Sequence, residues 1–150
     1  IGGFVAGDQD TIHFIKHRAR PFMFSAAMPP AAVATVHACL KIIQEEPQIF
    51  ESLWKNARRM KRELTGMGYD TLNSQTPIIP VVIGDDVKTF MFTKALYDHG
   101  VFATPVVKPA VPEGQSLIRT SYMATHTDAD LDYVLEVFYK LGKHFELIKT

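Results

Sequence analysis

TPVVKPAVPEGQSLIRTSYMATHT, residues 104 to 127, is the stretch on which the reading of the chain turns. Pro105, Pro109 and Pro112 fix backbone torsions and remove amide donors, so its first half is expected to be an extended, stiff loop rather than helix or inner strand. The second half, SLIRTSYM, sets Leu117 and Ile118 between Ser116 and Arg119, the apolar and polar alternation of a short strand. Arg119 is therefore expected on an element bounded by a rigid loop and a helix start. A planar guanidinium held that way can grip a carboxylate with two parallel hydrogen bonds. The plainer alternative is a solvent-facing strand residue paired with an Asp or Glu.

On the C-terminal side, Thr127 and Asp130 make a capping box for a final helix. Its stripe is Leu131, Val134, Leu135, Phe138, Leu141, Phe145 and Ile148. On the N-terminal side, Val101 to Val107 reads as strand. Before it, Gly84-Asp85-Asp86 caps a helix from Val87 to His99 whose inner face is Phe90, Met91 and Leu96. Ile78 to Ile83 reads as a strand in which Pro80 stands where no neighbour needs an amide, and Tyr69 to Leu72 as another. Two helices precede these, Ala31 to Glu45 and a longer one from Gln48, separated by Pro47. The longer one carries Phe50, Leu53, Ala57, Met60, Leu64 and Met67 on one face, and Lys55, Arg58, Arg59, Lys61 and Arg62 on the other, which is the pattern of a solvated basic face. Trp54 borders the stripe, and Gly66 and Gly68 end the helix.

The N-terminal third gives strand (Ile1 to Gly7), helix (Asp8 to Arg18) and the phrase ARPFMFSAAMPP, residues 19 to 30. In that phrase Phe22, Met23 and Phe24 are expected to be extended. Pro29 and Pro30 suit a helix start, and Ser25 places a small hydroxyl near it, where a phosphate could be met. A simple helix-entry turn explains Ser25 equally. The chain opens on Ile1 rather than Met, inside the apolar run IGGFVAG, and is expected to be a piece of a longer protein.

The order of elements predicts an α/β chain in α+β arrangement: a small sheet of about three strands, partly antiparallel, covered by helices. Sixteen basic and sixteen acidic side chains cancel, without a basic run, which speaks against a nucleic-acid partner. No stretch approaches the roughly 20 apolar residues of a membrane-crossing helix. Cys39, the one cysteine, falls inside a helical pattern and is expected to be a buried small hydrophobe in a reducing compartment, the cytoplasm. His13 and His17 have the i, i+4 spacing of metal ligands, but no Glu or Cys completes a set, so no metal is expected.

GVFATPVVKPAVPEGQSLIRTSYMATHT, together with IGGFVAG, FSAAMPP and PIIPVVIG, resembles the C-terminal segment of the α-oxoamine synthases, a family of fold-type-I pyridoxal-phosphate enzymes. The resemblance covers essentially the full chain, and its wording is nearer to serine palmitoyltransferase and 2-amino-3-ketobutyrate CoA ligase members than to biotin-pathway synthases. It implies condensation of an amino acid with an acyl-CoA and loss of carbon dioxide, with pyridoxal phosphate as cofactor and a homodimer with shared active sites. By resemblance, Arg119 binds the amino acid's carboxylate and Ser25 reaches the cofactor phosphate of the neighbouring subunit. Ala26 departs from members that carry a second hydroxyl there. The cofactor's lysine would lie before Ile1; Lys16, the nearest present, does not match it, so no catalytic residue is assigned and the chain alone is expected to be inactive. Residues 1–45 would be the end of the large cofactor-binding domain and its connecting helix, and residues 46–150 the small C-terminal domain. His126 and Lys108 are weaker candidates for contact with substrate and with a CoA phosphate. An aminotransferase of the same fold, or a non-catalytic amino-acid-binding regulatory domain, remains an alternative.

Overall fold

The strand expected over SLIRTSYM forms, and it is the middle strand of the sheet. The computed structural model describes residues 2–148 and divides into two units, Ile1–Pro47 and Gln48–Thr150.

The first unit is helical. Asp8 caps α1 (Gln9–Arg18), its Oδ1 accepting from the Thr11 amide at 2.9 Å. After it come α2 (Arg20–Phe24) and α3 (Pro30–Glu45), and no residue of the three helices is buried. Phe22, Met23 and Phe24 are thus helical, not extended. Pro21, near the start of α2, has the fixed torsion that a first helical turn favours. The expected opening strand is not found over residues 2–7; Ile1 lies outside the described residues. A strand needs a neighbour to pair its backbone groups, and the described residues of this unit include none. Cys39 is exposed rather than buried, since no described residue of this unit is buried and α3 has no core among them to turn it into.

The second unit is two-layered. It contains α4 (Gln48–Gly66), β1 (Ile78–Gly84), α5 (Asp86–Asp98), β2 (Thr104–Val106), β3 (Ser116–Ser121) and α6 (Asp128–His144). The sheet order is β1-β3-β2, and both pairings are antiparallel. Ile79, Val81 and Ile118 leave one face of the sheet and pack with Met60 and Leu64 of α4, Phe92 and Leu96 of α5, and Leu131, Phe138 and Leu141 of α6. Thr127 and Asp130 form the expected capping box. Between α4 and α6, Arg59 bonds Asp128 at 3.1 Å and also Asp132, and Lys55 reaches Asp128 at 3.5 Å, so the basic face is partly paired rather than merely solvated.

Three local expectations fail here. Tyr69 to Leu72 is not a strand: Leu72 has a positive φ of 51° and its amide donates to Asp70 Oδ1 at 2.9 Å, closing a turn. Phe90 and Met91 are exposed, and α5 turns Thr89, Phe92 and Leu96 inward instead. These three share one helical face at spacings of three and four. The proline segment after Val106 runs through turns rather than extended chain, and β2 is shorter than the strand expected over Val101 to Val107.

Candidate functional site

Strand alternation divides β3 between two faces. Ser116, Ile118 and Thr120 point to the helices and are buried, and Thr120 Oγ1 donates to the Ile79 carbonyl at 2.8 Å. Leu117, Arg119 and Ser121 point to the other face. The register puts Pro80 of β1 on one side of Arg119 and Thr104 of β2 on the other, with Val82 and Val106 flanking Leu117. The result is a shallow, largely apolar sheet surface with one guanidinium at its centre. Arg119 is exposed, and it takes part in none of the ion pairs among the described residues. An arginine flanked by Pro80 and Leu117 as well as by the hydroxyl residues Thr104 and Ser121, and in no ion pair among the described residues, is available to an external carboxylate.

The strand is held at both ends. At its start, the Ser116 hydroxyl donates to the Asp86 carboxylate at the head of α5. Beyond its end, Met123 to His126 forms a turn that Asn56 of α4 ties down, its Nδ2 donating to the Met123 and His126 carbonyls, each at 3.0 Å. The Met123 amide in turn donates to His126 Nδ1 at 3.2 Å. Asn56 escaped the sequence reading. It lies on the apolar side of α4, three residues after Leu53 and four before Met60, and a polar side chain at such a position calls for a buried partner.

Ser25 ends α2, its amide donating to the Pro21 carbonyl at 3.2 Å. Its side chain is exposed. Ser25 belongs to the first unit and Arg119 to the second. His126 uses Nδ1 within its own turn, its ring 6.4 Å from that of Tyr122. Lys108 is engaged at 3.0 Å by Glu113 across the proline loop. His17 uses Nδ1 on the His13 carbonyl at 2.8 Å, and among the described residues no group of three or more His, Cys, Asp or Glu side chains could hold a metal ion. No helix among the described residues is long and apolar enough to cross a membrane.

Residues 1–138 match the family profile for aminotransferase class I and II. The chain is 52% identical over 147 residues to serine palmitoyltransferase of Bacteriovorax stolpii, an alignment covering 98% of this chain and 35% of the relative. It is 43% identical over 148 residues to 8-amino-7-oxononanoate synthase of Thermoanaerobacter pseudethanolicus, covering 99% of this chain and 38% of the relative. A solved structure of SPT with PLP matches with a TM-score of 0.83 at 31% identity, over 93% of this chain and 36% of that one. The chain thus spans little more than a third of the length of the curated relatives it matches.

Proposed function

We propose, on the premise that this chain belongs to the aminotransferase class I and II family, that it is the C-terminal part of a pyridoxal-phosphate-dependent C-acyltransferase of the α-oxoamine synthase kind. Such an enzyme joins an amino acid to an acyl-CoA with decarboxylation or C-acyl transfer. Support comes from the names of the relatives, serine palmitoyltransferase and 8-amino-7-oxononanoate synthase, and from the PLP held by a structural neighbour. Residues 1–45 are read as the end of the large cofactor-binding domain with its connecting helix, and residues 46–150 as the small C-terminal domain.

Within that reading Arg119 takes the substrate carboxylate through two parallel hydrogen bonds, fixing which bond of the α-carbon is presented for reaction. Pro80, opposite Arg119, and Leu117, two residues before it, give the guanidinium's stem an apolar backing. Pyridoxal phosphate, when bound, supplies the electron sink. Of its donors this chain offers Ser25, whose exposed hydroxyl suits a phosphate oxygen. No lysine here takes the place the family gives to the cofactor's anchor, so the chain by itself is expected to show neither the cofactor's bound absorbance nor turnover.

The parent is read as a homodimer in which Ser25 serves the neighbouring subunit's cofactor. The first unit leaves Phe14, Phe22, Phe24, Leu40 and Ile43 exposed, an apolar surface that the rest of the parent polypeptide or a second subunit would cover. An exposed free thiol at Cys39 accords with a reducing compartment such as the cytoplasm. Serine palmitoyltransferase-like chemistry, and with it a step of sphingolipid biosynthesis, is the first choice of reaction.

The observation that carries this reading is Arg119, exposed at the middle of the uncovered sheet face. The test is to supply the full-length protein and pyridoxal phosphate with serine or glycine and acyl-CoAs of several lengths. Free CoA should be released only when an amino acid is present. Formation of an oxo acid without CoA release would contradict the acyltransferase and favour an aminotransferase.

A further inference from the structure

Asn56 is 5% exposed on a helix face otherwise occupied by Ala57, Met60 and Leu64. Burying an amide among apolar side chains costs free energy unless its donors are used. Here one NH2 group supplies both protons to two carbonyls of a single turn, on a segment 67 and 70 residues further along the chain. That turn begins two residues after Ser121 ends β3 and stops where Thr127 caps α6. Met123 and His126 within it are also joined to each other, through the Met123 amide to His126 Nδ1 and the His126 amide to the Met123 carbonyl. The turn is therefore one rigid piece, and Asn56 is the side chain that pins it to α4.

The requirement is chemically narrow. Two carbonyl acceptors side by side need two donors in a fixed fork, which an asparagine amide provides. An aspartate of the same shape provides none when ionised, and a leucine of similar size leaves both carbonyls without this partner. Met123 follows Arg119 by four positions, with three residues between them, so the anchored turn bears on the axial position of the strand end that carries the guanidinium.

We propose that Asn56 is a positioning residue for substrate recognition: by fixing the Met123–His126 turn to α4, it sets where Arg119 meets the amino acid's carboxylate. This rests on the reading of Arg119 as the carboxylate clamp. It predicts a selective defect, in amino-acid binding and not in acyl-CoA binding.

The experiment uses the full-length protein with cofactor and four variants, Asn56→Asp, Asn56→Leu, Arg119→Ala and Gly142→Ala, the last altering α6 packing away from the turn. KM is measured for the amino acid and for acyl-CoA, and hydrogen exchange of the 123–127 amides is followed in parallel. The expected result is an amino-acid KM raised about five- to tenfold by at least one Asn56 variant, an unchanged acyl-CoA KM, and faster exchange confined to the turn, with Gly142→Ala showing none of this selectivity. If Arg119→Ala raises the amino-acid KM but neither folded Asn56 variant does, or if both KM values move together as in Gly142→Ala, the role of Asn56 is overturned while the clamp stands. An Arg119→Ala variant with unaltered amino-acid KM overturns both. If neither Asn56 variant folds when Gly142→Ala does, Asn56 serves the fold itself and the positioning role is likewise overturned.

Discussion

Pro80 and Arg119 stand directly opposite each other in the antiparallel β1–β3 ladder, as a pair that exchanges no backbone hydrogen bond. Proline has no amide to give, and the amide of Val82, two residues on and therefore on the same side of the strand, points outward to the Asp70 carbonyl at 2.9 Å. Arg119 consequently turns its own amide and carbonyl the other way, toward Thr104 of β2. By the same alternation Pro105 directs its missing donor away from β3. Both edges of the sheet thus carry a proline where an extra strand would look for an amide. A non-hydrogen-bonded pair also brings its side chains close together, setting a stiff ring beside the stem of the arginine.

Tyr69 and Tyr122 are both buried, yet only one is satisfied. Tyr69 Oη donates to the Phe138 carbonyl at 2.7 Å. Tyr122 Oη has no hydrogen-bond partner among the described residues, the neighbouring Thr120 hydroxyl being given to Ile79. Tyr69→Phe should therefore destabilise the chain by about 1 kcal/mol, whereas Tyr122→Phe should be neutral or stabilising. Urea unfolding midpoints at neutral pH check the contrast.

The same two phenols set an alkaline limit. Burial raises both above the ordinary value of 10.0, Tyr122 to about 12 and Tyr69 further. The folded state holds these protons more tightly than the unfolded chain does. Their contribution is then complete below pH 10 and is lost as pH rises toward and through about 12. Unfolding midpoints followed upward from pH 9 should fall, and the double replacement by Phe should flatten the fall.

Gly142→Ala tests the packing of α6 against Tyr69. An alanine normally gains about 1 kcal/mol over glycine within a helix. Here its methyl would run into the Tyr69 hydroxyl, and would lie 2.9 Å from Tyr69 Cζ and 3.1 Å from Ile148 Cδ1. Because Tyr69 is held by Phe138, the overlap should win, with a net loss of about 1–3 kcal/mol. Combining it with Tyr69→Phe should recover part of the loss, as read from thermal midpoints.

At the head of α6, the Asp130 carboxylate accepts from the Thr127 hydroxyl at 2.6 Å and from its amide at 2.8 Å, and these bonds hold its pKa below the usual 3.8. Their contribution is present above that value and fades as pH falls through the lowered one. Thr127→Ala should cost about 1 kcal/mol near pH 7 and should lessen the decline in stability below pH 4, measured by urea unfolding across the acid range.

Where one physical cue dominated, the sequence was enough. Thr127 with Asp130, Gly84-Asp85-Asp86, and the alternation around Arg119 each specify a local geometry, and each formed. Cues that depended on distant partners were less readable. Phe90 and Met91 are as apolar as Phe92, and only the placement of α5 on the sheet selects Phe92 and Leu96 for the core. Tyr69 is buried without being in a strand, since Gly68 and Leu72, both with positive φ, turn the chain on either side of it. Cys39 could not be judged from α3 alone. The outward, exposed position of Arg119 on β3 was legible because strand alternation specifies it, while Asn56, with no motif of its own, became visible only through its two carbonyl partners.

The most direct test compares binding of the amino-acid substrate with that of its carboxamide analogue, in the cofactor-loaded full-length protein and in its Arg119→Ala variant. If Arg119 grips the carboxylate, the unaltered protein should prefer the acid by about a hundredfold or more, and the variant should lose most of that preference while binding the amide as before. Equal preference for the acid in both proteins would contradict the assignment of Arg119.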